Sequence, residues 1–494
     1  MRRRRTAEAV RASDGARSLP VARAAATARR YRAGPMNPGD AFLPNAGGPA
    51  TAQPPKVFLE TFGCQMNFLD SELVRGRLAE RRYVFTADRA EADVIAFNTC
   101  AVRDHAEARV RARLYELRET KARRPEVVVA VLGCMAQREG EALLEKFPHV
   151  DILCGTREFG HIHELVDRVR DGGGPIVALG ESDPLPDARR DLSQRPHRHS
   201  AYVTIQRGCD RACTFCVVPR TRGPEVERPM DELEAEVRAL VADGVVDVTL
   251  LGQIVNAYGR KSGGDATLAR LLRRLDRIDG LKRLRFITSF PTLVTPELMQ
   301  ALADCGSVVS YLHLPVQSGA NSCLKRMARG YTADAYLRLV ERLRAVVPRV
   351  ELATDVIVGF SGESDAEFAA TEELMRRVEF VQAFIFKYSE RPGTAAERRQ
   401  PDDVPQAVKE ERNQRLLALQ DAIQRRRNRA RIGSVEEVLV DGPSRRDRSV
   451  LAGRCPANRM VHFRGAADRV GRIVPVRIRD ATALSLTGEI VTAA

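Results

Sequence analysis

The sequence lacks the features of a membrane or a secreted protein. Its longest apolar run covers residues 127–132, far short of the roughly 18 residues that a membrane-spanning helix needs. No apolar signal-peptide core occurs near the start. Ten cysteines in 494 residues are too sparse for a disulfide scaffold. These absences exclude a membrane-spanning protein and a disulfide-rich module, and they favour a reducing cytoplasm as the location.

Lysine is also scarce, and the positive charge is uneven. Of the 79 basic residues only eight are lysine, and the formal net charge is +14. Residues 1–35 contain ten arginines against Glu8 and Asp14, a net charge of +8, which leaves +6 for the rest of the chain. Because that remainder is only mildly basic and arginine is abundant throughout, charge alone is weak evidence for an RNA partner.

The composition is otherwise that of a globular protein, with 44% apolar and 29% charged residues, in a chain long enough for roughly two to four domains. Residues 1–54 are the exception, because they are rich in Arg, Ala, Pro and Gly without sustained periodicity. We interpret them as a disordered extension or as a misassigned start, since Met36 offers an alternative. An organellar transit peptide is a second interpretation, although Glu8 and Asp14 interrupt the acid-poor pattern.

Residues 55–172 alternate short strand-like runs with amphipathic helical stretches, which predicts a doubly wound α/β domain. The predicted strands cover residues 57–62, 94–97, 127–132 and 150–153. The next segment, residues 173–194, contains Gly and Pro clusters and predicts a linker.

Residues 195–428 contain six predicted strands with helical segments between them, the pattern of an open, partial (β/α)6 barrel. These strands cover residues 202–206, 246–251, 283–288, 309–314, 351–358 and 380–387. A long charged helix is expected around residues 404–430. Residues 429–494 then change to short Val/Ile runs broken by Gly, Asn and Pro, which predicts a small antiparallel β-barrel. The predicted fold class is therefore α/β with three structural units.

The strongest chemical signal is a CxxxCxxC motif just after the first barrel strand, formed by Cys209, Cys213 and Cys216. Three thiolates this close on one loop can ligate three irons of a 4Fe-4S cluster and leave the fourth iron open to a small molecule. A zinc site needs a fourth ligand, and none follows at zinc-ribbon spacing. Incidental thiols or a zinc knuckle are the simpler alternatives.

This motif resembles that of the radical S-adenosylmethionine (SAM) superfamily. The resemblance implies a 4Fe-4S cluster whose open iron binds SAM, and an electron transfer that cleaves SAM to a 5′-deoxyadenosyl radical. Polar residues that follow other barrel strands would then surround SAM and the substrate, because catalytic groups gather at that end of such barrels. These residues are Gln253, Ser289, Gln317 and Glu363. Each is equally compatible with a turn or with a satisfied core polar group.

A second set of cysteines is dispersed over about 70 residues. Cys64, Cys100 and Cys134 each lie one or two positions past a predicted strand of the N-terminal domain. Because the carboxyl ends of parallel strands share one edge, these thiols can converge there and bind a second cluster. Three buried structural cysteines are the alternative.

Cys154 also follows a predicted strand of this domain and is either a fourth ligand or a packing residue. We favour packing, because a fourth cysteine ligand would leave no open iron. The protein family that this sequence resembles, described next, uses three cysteine ligands. The remaining cysteines, Cys305, Cys323 and Cys455, show no ligand spacing.

Together the two cysteine sets and several local motifs make residues from about 56 to the C-terminus similar to the radical SAM methylthiotransferase family. The motifs are TFGCQMN at 61–67, NTCAVR at 98–103, LLGQIVN at 250–256, HLPVQSG at 313–319, YSERPGT at 388–394 and NRMVHF at 458–463. The residues around Cys64 and Cys100 resemble those of the family branch that modifies isopentenyladenosine next to the tRNA anticodon. Ile254, Phe290 and Ser361 depart from the usual family residues.

The resemblance implies a tRNA methylthiotransferase with SAM and two 4Fe-4S clusters, one of which binds SAM. It implies an auxiliary cluster held by Cys64, Cys100 and Cys134, and a C-terminal RNA-binding TRAM module. A flavodoxin or ferredoxin as electron donor and a monomeric state are further expectations. Five arginines of the module are candidates to follow the RNA phosphates: Arg445, Arg446, Arg448, Arg454 and Arg459.

Two other functions remain open from the sequence. The ribosomal-protein-modifying branch of the family would act on a protein in place of tRNA. A non-catalytic iron-sulfur RNA-binding or sensor protein would bind clusters and RNA but would not cleave SAM.

Overall fold

The computed structural model describes residues 29–31, 53–182, 195, 197–263 and 266–491. Most of the extension predicted over residues 1–54, and residues 183–194 of the predicted linker, lie outside these ranges. Within the described part of the chain, no helix is both long and apolar enough to cross a membrane.

The first unit is a seven-stranded sheet in which every pairing is parallel. Its strands are β1 (Arg29–Arg30), β2 (Lys56–Thr61), β3 (Val84–Phe85), β4 (Val94–Thr99), β5 (Val128–Gly133), β6 (Ile152–Cys154) and β7 (Ile176–Ala178). The spatial order is β1-β7-β6-β5-β4-β2-β3. From β2 the chain adds β3 on one side and β4 to β7 on the other, so the order reverses between β2 and β4. Such a switch point is where open α/β sheets place their sites.

Helices cover both faces of this sheet, which confirms the doubly wound prediction. They are α1 (Gln65–Ala79), α2 (Asp104–Arg123), α3 (Cys134–Glu139), α4 (Glu141–Lys146) and α5 (Ile162–Arg170). One apolar core contains Val110 and Leu114 of α2, and the other contains Val74 of α1 and Leu165 of α5. The central strands β4 and β5 are buried along their whole length, as strands covered on both faces must be.

Two expectations about the edges of this unit are wrong. Residues 176–178 fall within the predicted linker, yet they form β7 and pair in parallel with β6. An apolar run of three residues beside Gly and Pro is too short to stand out in the sequence. Residues 29–31 fall within the predicted disordered extension, yet Arg29–Arg30 pairs with β7 and the Tyr31 hydroxyl donates to Glu164 at 2.6 Å. The sheet edge thus provides a partner that local sequence does not reveal.

The second unit contains the six predicted barrel strands, which are confirmed as β8 (Ser200–Thr204), β11 (Asp247–Leu251), β12 (Arg283–Phe286), β13 (Tyr311–His313), β14 (Glu351–Val358) and β15 (Gln382–Lys387). A two-stranded ribbon, β9 (Gln206–Arg207) and β10 (Val226–Glu227), follows β8. The six strands form two parallel three-stranded sheets. The Leu284 N–H donates to the Ser307 carbonyl and the Val309 N–H donates to the Leu284 carbonyl, and these two bonds join the sheets. Among the described residues no ladder joins β8 to β15, so the barrel is open on that side.

Helices surround the outside of this barrel. They are α6 (Val218–Arg222), α7 (Met230–Ala242), α8 (Leu268–Asp276), α9 (Pro296–Asp304), α10 (Asn321–Arg326), α11 (Ala333–Val346), α12 (Asp365–Val378), α13 (Ala395–Arg399) and α14 (Gln406–Arg429). The outer face of the strands packs against them in one large core. Helix α14 matches the long charged helix that the sequence predicts.

The third unit is a closed five-stranded barrel. Its strands are β16 (Val435–Pro443), β17 (Val450–Arg454), β18 (Met460–Arg464), β19 (Ile473–Ala481) and β20 (Ser485–Ile490). Four of its pairings are antiparallel as predicted, whereas β18 and β20 are parallel. The parallel pairing closes the barrel between strands that are not consecutive, which strand patterns alone do not specify.

This small barrel docks on the amino ends of the central barrel strands. Arg283, the first residue of β12, donates to the carbonyl oxygens of Arg454 and Glu437, both at 2.7 Å. Arg459 is buried and donates to Glu351, the first residue of β14, at 3.0 Å. The expectation that Arg459 follows RNA phosphates is therefore wrong, because its guanidinium joins two units of the protein.

Candidate active site

The three dispersed cysteines lie at the carboxyl edge of the N-terminal sheet, around its switch point. Cys64 follows β2, Cys100 follows β4 and Cys134 follows β5. Gly63 and Gly133, which precede two of them, have φ values of +127° and +91°. A Cβ at Gly63 would lie 2.6 Å from the Cβ of Cys100. Only glycine permits both this conformation and this approach, so the turns bring Cys64 against Cys100.

A buried amide pair fixes this arrangement. The Asn67 Oδ1 accepts from the backbone N–H and the thiol of Cys64, both at 3.3 Å. The Asn67 Nδ2 donates to the Thr99 carbonyl at 3.0 Å, and the Asn98 Nδ2 donates to the Asn67 carbonyl at 2.8 Å. Both amides are fully buried. They therefore tie the Cys64 loop to the strand that ends at Cys100.

The three thiols interact with one another. Burial, followed by the charges of Cys64 and Cys134, raises the pKa of Cys100 to about 12. The Val102 N–H donates to the Cys100 sulfur at 3.3 Å, a contact that favours the thiolate over the thiol. Among the described residues, no three Cys, His, Asp or Glu side chains are arranged to share one metal ion. The thiolates of a 4Fe-4S cluster bind different irons, so a cluster does not require that arrangement.

Cys154 does not belong to this group. It is fully buried in the core on one face of the sheet, among residues such as Val74 and Leu165. Burial, and then the charge of Glu158, raises the pKa of its thiol. Cys100 instead packs in the core on the opposite face. Cys154 therefore packs as predicted, and Cys305, Cys323 and Cys455 are likewise buried in other cores.

The second trio lies on the loop between β9 and α6, beyond the carboxyl end of β8. Burial raises the pKa of Cys209, and it raises that of Cys216 to about 12, while Cys213 contributes a charge to both. The Arg211 N–H donates to the Cys209 sulfur at 3.5 Å. The structure thus brings Cys209, Cys213 and Cys216 together as the motif predicts.

A buried arginine from a distant part of the chain reaches this loop. Arg329 Nη1 donates to the Cys213 sulfur at 3.3 Å, and its Nη2 donates to the Pro315 carbonyl at 3.2 Å. Phe290 lies between two guanidinium groups, those of Arg329 and Arg211, each 4.4 Å from its ring centroid. Phe290, which departs from the usual family residue, therefore packs as a neutral spacer between two cations.

The four polar residues predicted at strand ends differ in their surroundings. The Ser289 Oγ and the Gln253 Oε1 are buried and have no hydrogen-bond partner among the described residues. Gln317 has a φ of +72°, and Thr288, next to Ser289, has a φ of +66°. Such strain in residues other than glycine is often stored at functional sites. Orphaned polar atoms beside a strained backbone fit a pocket that a polar ligand completes.

Glu363 is held differently. Its Oε2 accepts from the Gly359 N–H at 2.6 Å and from Arg412 of α14 at 2.9 Å, while its Oε1 has no partner among the described residues. Burial raises the pKa of this carboxyl, and the Gly359 N–H and Arg412 oppose that shift. Glu363 therefore holds the loop after β14 and keeps one acceptor free.

The two cysteine sites adjoin each other. Val217, the residue after Cys216, packs in one cluster with Cys134 and Ala101. Cys64 packs against an apolar cluster of Met66, Leu69 and Leu251, and Tyr202 of β8 and Ile287 just after β12 pack against the same cluster. Their chain neighbours Ala201, Val203 and Phe286 belong to the core beneath the outer helices, so Tyr202 and Ile287 alternate to the inner face of the barrel. Both trios therefore lie at the mouth of the open barrel.

Several residues of this site were not predicted from the sequence, namely Asn67, Asp70, Asn98, Arg207, Arg222 and Arg329. Asp70 lies on α1 and is fully buried, and it forms ion pairs with Arg207 at 2.9 Å and with Arg222 at 2.7 Å. The position of Asn67, in the first helical turn after Cys64, was an available signal. Arg329 carries no local signal, because its contact with Cys213 joins segments 116 residues apart.

Comparisons with known proteins agree with this architecture. Residues 56–155 match Uncharacterized protein family UPF0004, residues 203–375 match the Radical SAM superfamily and residues 429–491 match the TRAM domain. Among solved structures, the radical S-adenosylmethionine methyltransferase TsrM from Kitasatospora setae, with cobalamin and a [4Fe-4S] cluster bound, is similar with a TM-score of 0.51 at 16% identity. The match covers 69% of this chain and 77% of that one, and it supports the fold alone.

Curated relatives are similar over most of the chain. The tRNA-2-methylthio-N(6)-dimethylallyladenosine synthase of Syntrophotalea carbinolica is 45% identical over 87% of this chain and 99% of its own length. The enzymes of the same name from Rhodopirellula baltica and Clostridium botulinum are each 41% identical, over 88% of this chain and 95% and 96% of their own lengths. The chain therefore belongs to the tRNA-2-methylthio-N(6)-dimethylallyladenosine synthase family of radical SAM methylthiotransferases.

Proposed function

We propose that this chain installs a methylthio group at C2 of N6-isopentenyl(dimethylallyl)adenosine next to the anticodon of tRNA. The observation that carries the proposal is the junction of two cysteine trios at one barrel mouth, where Val217 of one loop packs against Cys134 of the other. A C2–H bond of adenine is not activated toward polar reagents, so replacing hydrogen by sulfur calls for radical chemistry beside a sulfur source. Two adjoining sites meet that need.

We assign Cys209, Cys213 and Cys216 to a SAM-binding 4Fe-4S cluster and Cys64, Cys100 and Cys134 to an auxiliary one. When bound, the first cluster supplies the electron that cleaves SAM, and the second holds the sulfur to be transferred. The fit rests on the donors that surround the sulfurs. The Val102 and Arg211 N–H groups and the Arg329 guanidinium all donate to cysteine sulfur, as protein groups around iron-sulfur clusters do.

We assign Gln253, Ser289, Gln317 and Glu363 to SAM binding. Buried acceptors or hydroxyls without partners, such as those of Ser289 and Gln253, cost free energy unless a ligand satisfies them. SAM carries amino, carboxyl and ribose hydroxyl groups that can do so. Glu363 would act through the loop that it holds, together with its free oxygen.

The inner wall of the barrel suits a modified base. It combines polar contacts, such as the Asp247–Arg285 ion pair and the hydrogen bond between His313 and Asp355, with apolar side chains that stay at least partly accessible, such as Ile357 and Phe384. An anticodon-loop adenosine can be flipped into such a cavity for only a few kcal/mol, less than from a duplex. Its apolar prenyl group would contact the apolar part of the wall.

The partners and domain limits follow from the same arrangement. Arg445, Arg446, Arg448 and Arg454 are exposed on the small barrel and are available to RNA phosphates. A flavodoxin or ferredoxin is the proposed electron donor. Because one chain supplies both trios, we propose a monomer. We place the methylthiotransferase N-terminal domain at residues 55–172, the radical SAM core at 195–428 and the TRAM domain at 429–494.

Mass spectrometry of nucleosides from tRNA tests the function. A strain that lacks the gene should lose the methylthio adduct and accumulate isopentenyladenosine. Complementation with the wild-type gene should restore the adduct, whereas a Cys64→Ala, Cys100→Ala, Cys134→Ala gene should not. An unchanged adduct in the deletion strain would refute the substrate assignment.

A further inference from the structure

The charged side chain of Arg222, a residue of the radical SAM core, extends into the N-terminal domain. It is the last residue of α6, it is only 6% exposed, and its Nη2 donates to the Asp70 Oδ2 at 2.7 Å. The same carboxylate forms an ion pair with Arg207 of β9 at 2.9 Å. Asp70 itself is fully buried on α1. The donors of a guanidinium buried in this position need acceptors, because a buried donor without a hydrogen bond costs free energy.

One donor of this guanidinium is unused. Arg222 Nη1 is buried, and no acceptor among the described residues meets it in hydrogen-bond geometry. Its surroundings are nevertheless those of the auxiliary site. Helix α3, whose first residue is Cys134, packs against α6, and Val217 at the start of α6 packs against Cys134 itself. Asp70, which holds Nη2, lies on α1, the helix that begins directly after Cys64. A vacant, charged donor therefore lies beside two of the three thiols of this site.

The position of Arg222 is fixed from three sides. Asp70 anchors Nη2, Val217 packs against Cys134 at the start of α6, and the Thr156 hydroxyl donates to the Thr221 carbonyl at 2.7 Å. The side chain therefore cannot turn to another acceptor without breaking an ion pair. A fixed donor of this kind suits a small anion at a constant place.

We propose that Arg222 Nη1 donates a hydrogen bond to a small sulfur anion of the hydrosulfide class that occupies the auxiliary site beside Cys64 and Cys134. The inference rests on the proposed function, because it assumes that Cys64, Cys100 and Cys134 bind the auxiliary cluster. Arg222 is then a positioning residue for the sulfur that is transferred. Since it comes from the helix that follows Cys216, it sets the place of that sulfur relative to the SAM loop.

Titration with sodium hydrosulfide tests this role without turnover. The full-length chain with Cys209→Ala, Cys213→Ala and Cys216→Ala is reconstituted anaerobically and reduced with dithionite, and the electron paramagnetic resonance spectrum of the remaining reduced cluster is followed as hydrosulfide is added. Adding Arg222→Met should weaken binding by about 10-fold to 100-fold, the effect of losing a charged hydrogen bond. Arg222→Lys, which keeps the charge, should recover part of the affinity.

Arg220→Met is the matched control, because Arg220 lies on the same helix but is exposed; it should leave the affinity unchanged. Equal hydrosulfide affinity in the Arg222→Met and parent proteins, at equal iron content, would overturn the inference. Loss of iron in both Arg222 variants would also overturn it in favour of a structural role. A parent protein without iron would instead refute the auxiliary cluster, and with it the proposed function.

Discussion

The two cysteine trios reach the same end by different means. Cys209, Cys213 and Cys216 lie within eight residues of one loop, whereas Cys64, Cys100 and Cys134 follow three separate strands. The loop trio is assembled by local chain geometry, and the edge trio exists only when β2, β4 and β5 are in register. A buried arginine from another segment lies at each site: Arg329 donates to Cys213 of the loop trio, and Arg222, paired with Asp70, lies on the helix that packs against α3 of the edge trio. The cysteines come from one segment at the loop site and from three at the edge site. The buried arginine, in contrast, comes from another segment at both sites.

Removing one cysteine trio at a time should have the largest effect on iron content and activity. With Cys209, Cys213 and Cys216 changed to Ala, or with Cys64, Cys100 and Cys134 changed to Ala, iron should fall to about four per chain in each case. Both variants should lose methylthiolation completely, since each lacks one site. Only the second should still form 5′-deoxyadenosine from SAM under reduction, which chromatography measures. Iron content near zero in either variant would show that the trios do not form independent sites.

Arg329→Met should change one trio and spare the other. Loss of the hydrogen bond to Cys213 removes a donor that stabilises the more negative, reduced cluster, so the reduction potential of the SAM cluster should fall. The fold should lose about 2 kcal/mol of stability, because Arg329 is buried and the Pro315 carbonyl and the Tyr331 hydroxyl each lose one of their hydrogen bonds. Potentiometric titration in the Cys64→Ala, Cys100→Ala, Cys134→Ala background measures the first effect, and denaturant unfolding the second.

The auxiliary cluster provides the control for Arg329→Met. Its potential, measured in the Cys209→Ala, Cys213→Ala, Cys216→Ala background, should not change. An equal shift in both clusters would mean that Arg329 acts through the whole fold and not through Cys213.

Cys154→Ala should give the smallest effect. The thiol fills a buried space in the core of the N-terminal domain, so its removal should cost about 1 kcal/mol in the free energy of unfolding. Iron content should stay at the wild-type level, whereas Cys134→Ala should lower it. A loss of iron in Cys154→Ala would make Cys154 a fourth ligand of the edge trio.

The sequence predicted the six central barrel strands and the grouping of each cysteine trio, because these follow from strand patterns and spacing. CxxxCxxC needs only spacing, and the edge trio needs only the rule that parallel strands end together. The Asp70, Arg207 and Arg222 cluster was beyond reach, because its three members belong to α1, β9 and α6 and meet only after two domains have docked. Arg459 was misassigned for the same reason, since its acceptor Glu351 is 108 residues away. Strand β7 was missed because its pairing partner, not its composition, specifies it.

The small barrel is attached to the amino ends of the central strands, and the cysteines lie beyond their carboxyl ends. A five-residue strand such as β11 is roughly 17 Å long, so an RNA in contact with both regions has a footprint at least as long as the barrel wall. An RNA bound to both regions would therefore have to hold its reactive base about one barrel length away from the part that contacts the small barrel.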